Sequence, residues 1–128
     1  MTTETKANTK APTTRAKIQT WTETLLTQVE TDPLFRAYFV MMAAAIGNRA
    51  DIRQAFLAAH EDVRTGLRLM IEEGQASGEI PESLNADATA LSIGSLHLGI
   101  AVELLLDPAM DMAAMRATAK QAVAGMLG

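Results

Sequence analysis

With 128 residues and a mass of 13.7 kDa, the chain has the length of a single domain. It contains no cysteine, which excludes a disulfide framework, a thiolate metal site and a cysteine nucleophile. Asp and Glu number 15 against 11 Lys and Arg, and the aromatic share is 4 %, so the chain supplies neither a phosphate-attracting surface nor a platform for stacking bases.

Residues 1–14 are mostly Thr, Lys and Ala, without the apolar segment of a signal peptide, and read as a disordered leader of a cytoplasmic protein. The folded domain is expected over 15–128. A first helix, about Thr14 to Glu30, is marked by Ile18, Trp21, Leu25 and Val29 at spacings of three or four. Asp32-Pro33 then supplies an N-cap followed by proline at the first helical position, where no N–H is needed. The second helix runs to Gly47. From Leu34 to Ile46 it is nearly all apolar, with Arg36 its single charge, so most of its circumference is expected to face protein or ligand.

Asn48 is the expected cap of a third helix, with Asp51 near its positive end and an apolar stripe through Ile52, Phe56, Ala59 or His60, Val63, Leu67, Met70 and Gly74. Gly78 and Pro81 stop it, and Asn85 caps a fourth helix over about Ala86 to Leu106. That helix carries one apolar row of Leu91, Leu98, Val102 and Leu105 and another of Ile93, Leu96, Ile100 and Leu104, which calls for two packing partners. Its strongest apolar run, Leu91 to Leu106, is interrupted by Ser92, Ser95, His97 and Glu103 and is short for a membrane span, so it reads as a buried helix without membrane contact. Asp107-Pro108 repeats the Asp-Pro cap. The fifth helix is expected to bury Met112, Met115, Ala119, Val123 and Met126, with Arg116 and Lys120 on the far side. No window alternates in the manner of a strand, and the fold class is all-α, a bundle of five helices.

Two histidines, His60 and His97, are too few for a metal site unless further ligands converge on them, and neither metal nor cofactor is expected. His60 lies on the packing stripe one turn from Phe56. It is either a polar group that orients a ligand inside an apolar pocket or a histidine at the core edge bonded to backbone. His97 and Glu103, six positions apart, project to different sides of their helix and do not form an acid-base pair. Trp21, Tyr38 and Phe56 have the shape to stack on a flat apolar ligand, Trp21 equally that of a core anchor, and Met41, Met42, Met70, Met110, Met112, Met115 and Met126 suit either a pocket that accepts several ligands or plain core filling. There is no glycine-rich phosphate loop and no nucleophile elbow, so no enzymatic activity is expected.

Three pieces of sequence carry a resemblance. They are Asp32-Pro-Leu-Phe-Arg opening a helix, Leu69-Met-Ile-Glu-Glu-Gly-Gln-Ala-Ser-Gly-Glu-Ile ending the next, and the small-residue helix that closes on Leu106-Asp-Pro. From about Trp21 onward the chain resembles the C-terminal regulatory domain of the tetracycline-repressor (TetR/AcrR) family of bacterial transcription regulators. The resemblance implies a helical core around an effector pocket, with the last two helices pairing with those of a second subunit as a four-helix bundle. Pocket candidates are Trp21, Tyr38, Met42, Phe56, His60, Leu67, Leu91 and Ser95. Candidates for the dimer interface are Ile93, Leu96, His97, Ile100, Leu104, Met115, Ala119 and Val123.

In that family a helix-turn-helix of roughly 45 to 50 residues precedes this region and reads the major groove. Residues 2–14 have neither the period nor the turn for one, and the dispersed charges of Lys6, Lys10, Arg15 and Lys17 support only weak phosphate contact. The expected function is therefore a ligand-sensing, homodimerising domain that binds a small hydrophobic effector and does not read DNA by itself. The alternative is an interaction protein that heterodimerises with a full-length relative and inactivates it.

Overall fold

The computed structural model describes residues 11–47 and 50–128, which form five helices: α1 Thr14–Thr31, α2 Pro33–Ile46, α3 Ala50–Ala76, α4 Ala86–Leu106 and α5 Met112–Met126. No strand occurs among the described residues. The leader expected over 1–14 falls outside them up to residue 10, as does the expected cap Asn48.

Short polar side chains set most helix boundaries. Asp32 serves two helices at once: its N–H donates to Gln28 O at 2.8 Å to close α1, and its carboxylate accepts from the N–H groups of Leu34 and Phe35 at 3.0 and 3.4 Å to open α2. At the end of α3, Gly78 adopts φ +83°, and the Glu79 and Ile80 N–H groups both return to Gly74 O. That reversal drives Ile80 into the core. Asn85 caps α4 by accepting from Ala88 N at 2.9 Å.

The fifth helix starts differently from the expectation. Asp107 accepts from Ala109 N while its carbonyl accepts from Met110 N, so Asp107-Pro108 closes a turn, and the cap of α5 is Asp111, bonded to Ala114 N at 3.0 Å. An Asp-Pro pair initiates a turn as readily as a helix, and the second aspartate decides the matter.

The start of α1 is tied down by distant residues. The Glu79 carboxylate accepts from the N–H groups of Thr14 and Arg15, each at 2.9 Å, satisfying two donors that a helix start leaves without partners. The Arg15 N–H first, and Thr14 after it, hold the Glu79 carboxyl below the ordinary carboxylate range against the opposing effect of its desolvation. The Arg15 guanidinium in turn donates to the carbonyls of Leu127 and Gly128 at 3.1 and 2.7 Å.

Helices α1 and α4 are central, each touching all four others. At the Glu79 end, Ile18, Leu67, Ile71, Ile80, Ile93 and Val123 form one core cluster; at the other end Val29, Phe39, Met42, Ala101 and Leu104 form a second. Leu26, Ile100 and Ala119 form a third. Removing a side chain of this size from water stabilises the fold by about 1.5–3 kcal/mol.

Three sequence expectations are corrected here. Helix α2 is not wrapped: only Phe39, Met42 and Ala45 are buried, while Leu34 is 83 % and Met41 62 % exposed, because the helix lies on the bundle with one side only. The α4 row of Ile93, His97, Ile100 and Leu104, with Ala119 and Val123 of α5, lies inside the chain's own core, with Leu96 and Met115 half-buried beside it. That row is packed against α1 and α5 of the same chain. Arg116 is not on the far side of α5. It reaches α1, donating to Glu23 at 2.6 Å and to Glu30 at 3.0 Å.

Among the described residues one helix, α4 over Ala86–Leu106, is long and apolar enough to cross a membrane by length and composition. It exceeds the run read from the sequence because Ala86, Ala88 and Ala90 extend it. In the structure it is one of the two central helices of the bundle.

Candidate functional site

Between the two end clusters, α1 to α4 part to leave a partly enclosed cavity of about 340 Å³. Helix α1 contributes Trp21, Leu25 and Gln28, one face at spacings of four and three; α2 contributes Phe35, Tyr38 and Phe39. From α3 come Ala59, His60, Val63, Arg64 and Leu67, and from α4 come Ala90, Leu91, Gly94, Ser95, His97 and Leu98.

Two glycines shape these walls. A Cβ at Gly66 would stand 3.3 Å from Trp21 Cη2, so the bare backbone of α3 lets the indole come close. A Cβ at Gly94 would meet no heavy atom within 4 Å, so the α4 wall is open there. Edge-to-face ring pairs brace the α2 side: Phe35 on Phe39 at 5.3 Å between centroids, Tyr38 on Phe39 at 5.4 Å, and Tyr38 on Phe56 at 4.9 Å. Burial pushes the Tyr38 phenol up from its ordinary value, so the ring stays neutral.

Polar groups on the walls are few and mostly engaged. The Ser95 hydroxyl donates to Leu91 O at 2.8 Å, within its own helix. His97 Nε2 meets Thr22 Oγ1 at 2.8 Å, and the Thr22 hydroxyl lies 3.1 Å from Ile18 O. Burial pulls His97 down to about 4, so it is neutral near pH 7. Arg64 pairs with Asp87 at 3.3 Å, both partly exposed. His60 is the exception: its Nε2 is fully buried and has no hydrogen-bond partner among the described residues.

Of the pocket residues expected from sequence, Trp21, Tyr38, His60, Leu67, Leu91 and Ser95 lie on the cavity wall. Met42 and Phe56 do not. Met42 is buried beside Val29 and Phe39 in the end cluster, and Phe56 supports Tyr38 from behind. Sequence reasoning did not place Leu25, Gln28, Arg64 or His97 in this cavity. Stepping one helical turn along the same face, from Trp21 to Leu25 and Gln28 or from His60 to Arg64, would have found the first three. Among the described residues no group of three His, Asp or Glu is placed to hold a metal ion.

Five helices in this order have the architecture of the C-terminal domain of TetR-type transcription regulators. The family described as "BetI-type transcriptional repressor, C-terminal" matches residues 14–128, and the chain belongs to it. No curated protein and no solved structure matches the chain.

Proposed function

We propose that this domain is the ligand-sensing and dimerising part of a cytoplasmic TetR-type regulator, with DNA contact made elsewhere. The observation that carries the reading is the apolar cavity whose walls come from four helices at the centre of the bundle. Its volume falls in the lower range of small-molecule sites, and its aromatic and aliphatic lining suits a hydrophobic effector. A ligand lodged there contacts α1, α2, α3 and α4 together. It therefore favours whichever relative placement of the helices accommodates it, which is a population shift.

Trp21 is the single tryptophan of the chain and stands in the cavity wall, so its emission reports occupancy. A panel of small hydrophobic compounds is expected to change that emission and raise the Tm; a ligand at a hundred times its Kd stabilises by about 2.7 kcal/mol. Gly94→Leu fills the open wall and is expected to abolish both effects. A panel without any response, or a Gly94→Leu variant that responds like the parent chain, defeats the reading.

The dimer contact in this proposal moves to the outer faces of α4 and α5. Ser92 and Gly99 are small exposed residues on one face of α4, near the exposed Leu106 and with Ser95 at the edge toward the cavity, and Ala113, Ala117 and Ala124 flank Lys120 on one face of α5. The Ser92 and Ser95 hydroxyls donate back to Ala88 O and Leu91 O, so this face of α4 can be covered without stranding a donor. Analytical ultracentrifugation is expected to show a dimer that Gly99→Arg dissociates; a monomer at high concentration counts against it.

A further inference from the structure

We infer that the cavity takes an uncharged compound with an apolar body and one hydroxyl group, the hydroxyl donating to His97 Nδ1. The inference rests on the reading of the cavity as a ligand site and specifies the chemistry of its occupant. His97 is 3 % exposed and lines the cavity from the middle of α4. Its Nε2 is taken by Thr22 Oγ1 at 2.8 Å, and its Nδ1 has no hydrogen-bond partner among the described residues. Yet the one side-chain nitrogen or oxygen among them that is both fully enclosed and without a partner is His60 Nε2. The His97 Nδ1 therefore keeps some accessible surface, and in so enclosed a ring that surface opens on the cavity the ring lines.

The neighbours decide what Nδ1 can do. The Thr22 hydroxyl lies 3.1 Å from Ile18 O, one turn back in α1, the usual recipient of a helical threonine proton. Nε2 then carries the ring proton and donates it to Thr22 Oγ1, which leaves Nδ1 a bare acceptor in a ring that burial keeps neutral. The rest of the wall disfavours other heads. Arg64, the one charged lining residue described, is engaged by Asp87 at 3.3 Å, so an anion meets no free cation, and a cation meets no lining carboxylate. The Ser95 hydroxyl is bonded within its own helix. A ketone sets lone pair against lone pair at Nδ1, and a hydrocarbon leaves the nitrogen unpaired, whereas a hydroxyl supplies the missing proton. Trp21, Phe35 and Leu98 meet the apolar body, and the volume of about 340 Å³ limits its size.

The test uses four compounds with one hydrocarbon frame: 4-cyclohexylbutan-2-ol, 4-cyclohexylbutan-2-one, butylcyclohexane and 4-cyclohexylbutanoate. Binding is read by calorimetry and from Trp21 emission. Leaving a buried acceptor without a donor corresponds to roughly five- to a hundredfold in affinity, so the alcohol is expected to bind at least about fivefold more tightly than the ketone. His97→Met fills a similar volume and leaves the Thr22 proton on Ile18 O, and it should bring the ratio of alcohol to ketone affinity close to one. A second readout needs no change at His97 and serves if the methionine variant folds poorly. In proton–nitrogen correlation spectra of the two imidazoles, told apart by His60→Gln, His97 should carry its proton on Nε2. The alcohol should move the His97 Nδ1 resonance upfield, and butylcyclohexane should not.

A ketone that binds as tightly as the alcohol overturns the inference and leaves the cavity reading standing. So does a carboxylate that binds more tightly than the alcohol, a ratio that survives His97→Met, or an Nδ1 resonance that the bound alcohol leaves in place. No response to any of the four compounds overturns both.

Discussion

Thr22 Oγ1 and His97 Nε2 lie 2.8 Å apart and join α1 to α4 across the centre of the bundle. Thr22 has one proton to give. When it serves Ile18 O, 3.1 Å away, the His97 ring must carry its own proton on Nε2 and donate it to the threonine oxygen. The pair is thus a complete neutral arrangement in a place where a charge would be costly. Desolvation by burial is what lowers the proton affinity of the imidazole.

Stability should therefore fall on acidification in a defined window. The unfolded chain protonates His97 near the ordinary value of 6.5, while the folded chain does so only near 4, so the unfolded state binds more protons in between. The contribution is fully present above pH 6.5 and is lost as the pH falls to 4, amounting to roughly 3 kcal/mol. Glu79, whose folded value lies below 4.5, adds its own loss only further down the scale. Urea unfolding between pH 7 and pH 4.5 should show the slope, and His97→Gln should flatten it. A parent chain with constant stability across that range would contradict the assignment.

Thr22→Val keeps the shape of the side chain and removes the hydroxyl. It leaves the buried His97 nitrogen without its partner, and a loss of about 1–3 kcal/mol is expected. The urea midpoint should drop with an unchanged m-value. An unchanged midpoint would mean that the hydrogen bond adds nothing.

Two glycines should respond in opposite directions to the same substitution. A Cβ at Gly74 would lie 2.7 Å from Ile80 Cδ1, and Ile80 is itself enclosed, so Gly74→Ala should destabilise by about 1–3 kcal/mol through overpacking despite the better helix propensity of alanine. At Gly99 nothing stands within 4 Å, and alanine there should raise the stability of the single chain by up to about 1 kcal/mol. Thermal unfolding of both variants checks the contrast.

The exposed side of α2 yields a further expectation. Val40→Lys and Met41→Lys should leave stability within about 0.5 kcal/mol, because neither side chain is in the core. Phe39→Ala, one position away, should cost about 3–5 kcal/mol. Similar losses at all three positions would mean that α2 is covered on both sides.

How far the sequence carried differs from one element to the next, and the reasons are physical. Asp32 and Asn85 announced their helices because capping is local: the side chain bonds an N–H two or three residues away. Helix α2 misled because a stretch apolar on every side has no phase, and periodicity cannot say which flank is covered. Helix α4 posed a related difficulty. Its two apolar rows were visible, but which of them the chain keeps for itself depends on where α1 and α5 pack. Thr22 and Leu26, both buried, were passed over in α1 in favour of Trp21 and Leu25, which stand half-covered at the cavity. The bulkiest side chains drew the stripe about one residue away from the true contact line. The cavity residues on α3 were partly legible because that helix has a charged back and one apolar face.

The clasp at Glu79 gives α1 a fixed foot. Thr14 and Arg15 are clamped by one carboxylate, Arg15 grips the carbonyls of Leu127 and Gly128, and Trp21, Leu25 and Gln28 begin about two turns higher up. The far half of the helix is held as well, by Arg116 on Glu23 and Glu30 and by the enclosed Val29, so the stretch that faces the cavity is anchored at both ends.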